Sequence, residues 1–536
     1  MTLFDSLPTP RPAHASPDAL VLSQRAPRPA GLSDTFTTRV DERMLDVFAR
    51  ARRPDDPLEL RDLWLGRVEH ELGTHAHHPA LAELWRDSRR LRLVEPEQVL
   101  RSRATVRFVK ELFNWYFRDD LYGGLRDDAR YILSGGAVDE ERWGLPQSLK
   151  ECIRYALDRD WYGYSDSRGR YPAREAIAAY ESARLDGVHY GPEHVAMTMG
   201  GTFAVSTLAD FVLHDISPSA APALCAIPNY PPLVETIARR HDVQLVPLDS
   251  GHGQTSIEPL IAALTPDTPL VLLQTVGNPT GAAVTEEGLA RLVEAASPST
   301  VIVLDECHEW LGEYEKRSAA RGAPNVVRVS SLSKTWSAPG LKAGWFLADP
   351  AFIAEYYEYA SSSFGGPPSF FYTVVEVLAR MERWLITGVE EPGPDELKEF
   401  ETSYGLDLER LRHAYRTYRT DRRRRVEELT VLRDAATVRL AQTPAQVLAP
   451  RFSINTAVEL PGWDDSYRCF RDVLRETGVS LFPGILTFCF SGAVMRITTA
   501  RPWEQLAPAL DRLGAHLVAG TAPAEVSLRG GQRGVA

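Results

Sequence analysis

Lys334 is the residue whose surroundings point most directly to chemistry. It closes the run Val326, Val327, Arg328, Val329, Ser330, Ser331, Leu332, Ser333, Lys334, where an apolar strand pattern breaks into hydroxyl residues and then an amine. Only six of the chain's 60 basic residues are lysines. A desolvated amine can lose its proton and attack a carbonyl, whereas a guanidinium cannot. The segment therefore reads as a lysine that forms a Schiff base with an aldehyde cofactor. Taken alone, it is equally compatible with a lysine at a helix start whose head stays in water.

Three other segments repeat the layout of an apolar run followed at once by a polar signature. Leu270–Thr275 leads into Gly277, Asn278, Pro279, Thr280, Gly281; Val301–Leu304 leads into Asp305, Glu306, Cys307, His308; Val195–Thr198 leads into Gly200, Gly201, Thr202. Helical patterns are predicted between these runs, at roughly 231–241, 256–265 and 284–296. Short apolar runs alternating with helices argue for a mostly parallel α/β sheet, and such sheets bind ligands beyond the carboxyl ends of their strands. Lys334, Asn278, Asp305 and Gly200 would then share one edge.

Each position has a chemical reading. Asp305 ends a buried strand, where an unpaired carboxylate is costly. A protonated ring nitrogen would partner it, as pyridoxal phosphate requires. The Asn278 amide can donate to a phenolate oxygen beside the Schiff base. Gly200, Gly201 and Thr202 at a helix start offer backbone amides to a phosphate, and Ser331 and Ser333 add hydroxyl donors. Singly, these features also read as a helix cap, a turn and a capping aspartate.

On these residues the chain resembles the fold-type I pyridoxal-phosphate enzymes of the class I/II aminotransferase family. The segment Ser331–Gly344 follows the family's lysine-attachment pattern, with Lys342 where an arginine usually grips the cofactor phosphate. The resemblance implies several further roles. Tyr164, in Tyr164–Arg174, would be lent across a homodimer interface to the neighbouring phosphate, and Tyr230, in Pro228–Pro231, would stack on the cofactor ring. Ser134, Gly135 and Gly136 resemble the amino-terminal approach to the active site, placing Gly136 with Asn278 beside the substrate. Arg496, in Met495–Ile497, would bind the substrate's α-carboxylate, a planar group suited to a guanidinium fork. His308 replaces a tyrosine that bonds the phenolate oxygen. Histidine ordinarily titrates near neutrality, so the resemblance implies an altered titration of the cofactor linkage or a proton relay.

The implied fold is α/β: a large domain with a mostly parallel seven-stranded sheet between helices, a smaller α/β C-terminal domain and a helical N-terminal extension. The expected boundaries are a disordered 1–33, the extension at 34–124, an N-terminal arm at 125–160, the large domain at 161–385, the small domain with an inserted helical segment at 386–520, and a flexible tail at 521–536. In the extension, Leu58–His70 and Ala104–Phe117 have helical apolar spacing, and the latter ends in the aromatic cluster Phe113, Trp115, Tyr116, Phe117. That spacing fits a block packed on the core or on a dimer partner, or alternatively a lid or second-substrate site. His70, His75, His77 and His78 crowd one stretch without a carboxylate or cysteine framework, so no metal is expected. Arg422–Arg425 is followed by Glu427 and Glu428 and reads as a solvated helix face.

Composition bounds the rest. The 536 residues carry 72 acidic against 60 basic side chains, a net charge of −12 without a basic patch, which argues against a nucleic-acid partner. Five cysteines lack paired or metal spacing, as expected in a reducing cytoplasm. No apolar run approaches membrane length. The expected activity is that of a pyridoxal 5'-phosphate-dependent enzyme acting on an L-amino acid. Lys334 would serve as Schiff-base residue and base, and transamination in specialised metabolism is favoured. A β- or γ-elimination, replacement or cyclisation stays open, as in relatives of aminocyclopropane carboxylate synthase that consume S-adenosylmethionine. So does a non-catalytic scaffold, which retention of the lysine, aspartate, asparagine and arginine argues against.

Overall fold

The computed structural model describes residues 32–33, 35–72, 94–217, 220–312 and 317–521. Its centre is a seven-stranded sheet built from β1 (Val195–Thr198), β2 (Ala223–Ile227), β3 (Val243–Pro247), β4 (Leu270–Gln274), β5 (Val301–Asp305), β6 (Val326–Ser331) and β7 (Gly344–Leu347). The spatial order is β1-β7-β6-β5-β4-β2-β3. Strand β7 runs antiparallel to both its neighbours, and the remaining pairs are parallel. Strands β1, β2 and β4 are buried at every position, which is why they read as unbroken apolar runs rather than alternating ones.

The predicted helices stand at Pro231–Ala238, Glu258–Ala263 and Glu286–Ala295. The last starts two residues late because the Thr285 side chain accepts from the Gly288 amide and fixes the cap there. A second, five-stranded sheet joins Gln446–Leu448, Asn455–Glu459, Val494–Thr498 and Phe482–Pro483 to Leu32–Ser33, the last two residues of the stretch expected to be disordered. Residues 1–31 and 522–536, and with them nearly all of the expected tails, lie outside the described residues, as do His75, His77 and His78. Among the described residues no cluster could hold a metal and no helix is long and apolar enough to cross a membrane.

The amino-terminal extension is helical at Pro57–Leu72 and Arg103–Trp115, and the latter continues into a π-helical turn over Tyr116–Gly124. It is tied to the C-terminal part of the chain by buried charge. Arg471, on the Ser466–Thr477 helix, donates to both carboxylate oxygens of Asp120 at 3.1 Å and pairs with Glu69. All three are almost wholly removed from solvent. Tyr467 adds a hydroxyl bond to Asp120 at 2.7 Å, so these charges are compensated within the protein rather than by water.

The charged segment after the predicted insertion forms one 33-residue helix, Leu408–Leu440. The solvated-face expectation for its four-arginine run needs correction. Arg423 and Arg424 are exposed, but Arg422 pairs with Glu382 at 2.8 Å and Arg425 is buried. Arg425 lies 5.5 Å from the Trp336 ring and 5.8 Å from that of Trp310, and donates to Ser337 Oγ and the Gly144 carbonyl. A flat guanidinium between indole rings is sheltered by them, and no charge count along the helix could show it.

Candidate active site

A cavity of about 250 Å³ opens at the carboxyl ends of β1, β4, β5 and β6. Every residue given a catalytic, cofactor or substrate role in the sequence lines it except Tyr164, which is fully exposed and not part of the lining. The parallel strands account for the convergence: each ends at the same edge and hands its next residues to the pocket.

Lys334 sits in the one-turn helix Leu332–Thr335 directly after β6, capped by the Ser331 side chain accepting from the Ser333 amide. Its Nζ donates to the Gly136 carbonyl at 2.7 Å. Burial, with the Arg496 charge second, pushes the amine down to about 8, because a charged ammonium is poorly solvated there and faces a second cation. Asp305 ends β5 with little exposure. Its Oδ2 accepts from Gln274 Nε2 at 2.9 Å and its Oδ1 from the Cys307 amide at 3.1 Å. These bonds fix the carboxylate's plane while leaving it a lining group of the cavity.

His308 corrects the expectation of near-neutral titration. Burial first, then the charges of Lys334 and Arg496, push its imidazole down to about 3. It is therefore neutral through the physiological range, and a bond to Ser453 Oγ at 3.4 Å orients its Nδ1. A titrating relay at this ring has no support.

Arg496 comes from the second sheet. In the Phe482–Pro483 pairing, Phe482 lies directly opposite Arg496, so both side chains rise on one face. The guanidinium rests 4.0 Å from the Phe482 ring centroid. Its Nη1 donates to Asn278 Oδ1 at 3.1 Å and its Nη2 to the Ser134 carbonyl at 2.8 Å, while its buried Nε has no partner. Gly136 is required beside it: the backbone is left-handed (φ 64°), and a Cβ would meet Arg496 Nη2 at 2.7 Å.

The third part of the cavity is a cradle. Gly200 adopts φ 83° and opens the Gly201–Leu213 helix, whose first amides have no partner within the helix. A Cβ on Gly201 would meet Cys307 Sγ at 2.9 Å. Ser331, Ser333 and Lys342 line the same cavity, and Lys342 holds a left-handed backbone (φ 54°) uncommon for a residue with a side chain. A doubly charged phosphate with a planar ring fits this donor set. The cradle and Lys342 would hold the phosphate, Asp305 would face a ring nitrogen, and Tyr230 would lie along the ring. Lys334, Lys342 and Arg496 outweigh the single carboxylate of Asp305, so the lining suits an anionic guest carrying a phosphate and a carboxylate.

Sequence reasoning missed Phe113, Phe117 and Phe482, which also line the cavity. The first two were legible as part of an aromatic cluster at helical spacing, and nothing in the pattern tells core from cavity.

The family model for class I and II aminotransferases matches residues 133–513. An aromatic amino acid aminotransferase of Rhodococcus jostii is 30% identical over 222 residues, covering 40% of this chain and 58% of that protein. The chain thus matches less than two thirds of that relative's length. A valine–pyruvate aminotransferase of Mycobacterium tuberculosis is 26% identical over 384 residues, covering 70% of this chain and 88% of that one. The solved structure of N-succinyldiaminopimelate aminotransferase from Mycobacterium tuberculosis superposes with a TM-score of 0.58 at 22% identity, over 72% of this chain and 92% of that one. That likeness speaks for the fold.

Proposed function

This chain belongs to the class I and II aminotransferase family, and from that premise we propose that it is a pyridoxal-phosphate-dependent aminotransferase acting on α-amino acids. The observation that carries the reading is one cavity holding a lysine amine depressed to about 8, a strand-end carboxylate and a buried arginine with an unpartnered Nε. When bound, pyridoxal phosphate supplies an aldehyde and an electron-withdrawing ring.

The residues divide the remaining work. Arg496 grips the substrate's α-carboxylate through its planar fork and thereby orients the Cα–H bond. Lys334 Nζ, neutral once its proton is lost, takes the Cα proton and later returns one. Asp305 would face a ring nitrogen and favour its protonated form, and Asn278 and neutral His308 would supply hydrogen bonds to the ring's oxygen. The Gly136 carbonyl, which accepts from Nζ at 2.7 Å, holds the amine in the pocket.

A homodimer with shared active sites is part of the proposal. Tyr164 is exposed with Tyr162 and Tyr171 nearby in sequence, an aromatic surface suited to burial by a second copy.

The test uses purified holoenzyme with an amino donor and a keto-acid acceptor. Transamination yields one keto acid per amine transferred and no loss of side-chain atoms; release of a β- or γ-substituent instead would overturn the assignment.

The lysine also sets a pH dependence. Its value in the folded, cofactor-free protein lies below the ordinary 10.5, so the neutral amine fraction rises about tenfold per pH unit up to roughly pH 8 and then levels. The rate at which cofactor-free protein takes up pyridoxal phosphate is expected to follow that curve in stopped-flow absorbance. A rate that keeps climbing towards pH 10 would mean an ordinary, solvated lysine.

A further inference from the structure

We propose that the segment Arg103–Gly124, upstream of the family-matched residues, forms the wall for the substrate's side chain, selecting large apolar or aromatic α-amino acids over acidic ones. The inference rests on the aminotransferase reading and deepens it.

Phe113 and Phe117 stand one helical turn apart on the Arg103–Trp115 helix and the π-helical turn that follows, with ring centroids 5.0 Å apart. Both line the cavity. Phe113 meets the Tyr230 ring edge-on at 5.8 Å and Phe482 at 6.1 Å, and Phe117 meets Phe482 at 6.1 Å. The aromatic surface therefore runs without a break from the residue that would flank the cofactor ring to the ring beneath Arg496. A substrate whose carboxylate lies on that guanidinium has its side chain next to these rings.

The wall is fixed in place. Tyr116, between the two phenylalanines, is buried and donates its hydroxyl to the Leu481 carbonyl at 2.9 Å. Asp120, in the same π-helical turn, is the carboxylate held by Arg471 and Tyr467. Turns of this kind place side chains off the ordinary helical register, often at functional sites, and a rigid wall discriminates better than a mobile one.

Charge points the same way. The cationic lining residues are Lys334, Lys342 and Arg496, and the proposed reaction uses all three. Arg501 approaches Gly135, but it does not line the cavity and donates to the carbonyls of Ile132, Ala137 and Ala500. Lys110 Nζ lies 5.3 Å from the Phe113 ring but is bonded to Asn114 Oδ1 and does not line the cavity. Within this chain the lining therefore offers a side-chain carboxylate phenylalanine rather than a further cation, and burial there would be costly.

The experiment compares phenylalanine, leucine, alanine and aspartate as donors to the holoenzyme, in wild type, Phe117→Ala and Phe117→Leu. Wild type is expected to favour phenylalanine over aspartate at least about tenfold in kcat/KM. Phe117→Ala should cut the phenylalanine value on the order of 10- to 100-fold, mainly in KM, with alanine changed less than about threefold. Phe117→Leu should restore most of it. Cofactor absorbance, unchanged in both variants, separates loss of the wall from loss of the fold. A preference for aspartate, or equal losses for phenylalanine and alanine, overturns the proposal while leaving transamination intact. Phenylalanine that perturbs the cofactor band in a Phe117-dependent way without yielding its keto acid supports the wall and overturns the aminotransferase reading instead.

Discussion

Replacing Lys334 with alanine is expected to lower turnover about 10,000-fold or more, the combined loss of a covalent anchor and of a general base. The amine is poised for both roles by its setting, since burial and Arg496 lower its proton affinity and the Gly136 carbonyl aims its Nζ. No lining residue replaces it at that point. His308 is neutral and bonded to Ser453, and Asp305 is held by Gln274 and the Cys307 amide. The variant should retain its fold by circular dichroism, because the helical turn that carries the lysine is capped by Ser331 rather than by the amine. It should lose the visible absorbance of the linked cofactor. A variant with turnover within tenfold of wild type would end the assignment of this residue.

The second large effect is at Arg496. Arg496→Lys is expected to lower kcat/KM roughly 100- to 1,000-fold, because an ammonium cannot present two parallel donors to a carboxylate. It also cannot keep both the Asn278 and Ser134 contacts of the fork, and so leaves buried acceptors unpaired. Arg496→Met adds a diagnostic. Removing the cation takes away the second cause of the depressed Lys334 value, so the amine's titration moves upward and the pH profile shifts to the alkaline side. The lysine variant keeps the charge and should leave the profile in place. Identical profiles for the two variants would show that Arg496 does not sense the reacting amine.

What the sequence disclosed follows from the physics of each element. Strands buried on both faces are apolar almost throughout, so β4, β5 and β6 announced themselves, β6 despite Arg328, whose charge Glu181 and Glu306 compensate, and the polar signatures after them lie at the strand ends. Lys334, Asn278, Asp305 and Gly200 were accessible to that reasoning. Arg496 was not, because it belongs to a different sheet and reaches the pocket through cross-strand register with Phe482; only likeness to a family suggested it. Phe113 and Phe117 were hidden because apolar spacing identifies a face without saying what it faces. His308 was misread in its titration, since its burial beside two cations depends on contacts distant in sequence. Arg425 was misread for the same reason: its neighbours Trp310 and Trp336 are brought to it by the fold.

The ion cluster of Glu69, Arg471 and Asp120 has a consequence for how such a chain can be divided. A fragment starting at residue 125 would keep the whole family-matched span, yet remove both carboxylates that compensate Arg471 and uncover the helix that carries it. Front and back of this polypeptide therefore behave as one inseparable body. Grafting the leading segment onto another scaffold would have to carry the Arg471-bearing helix along.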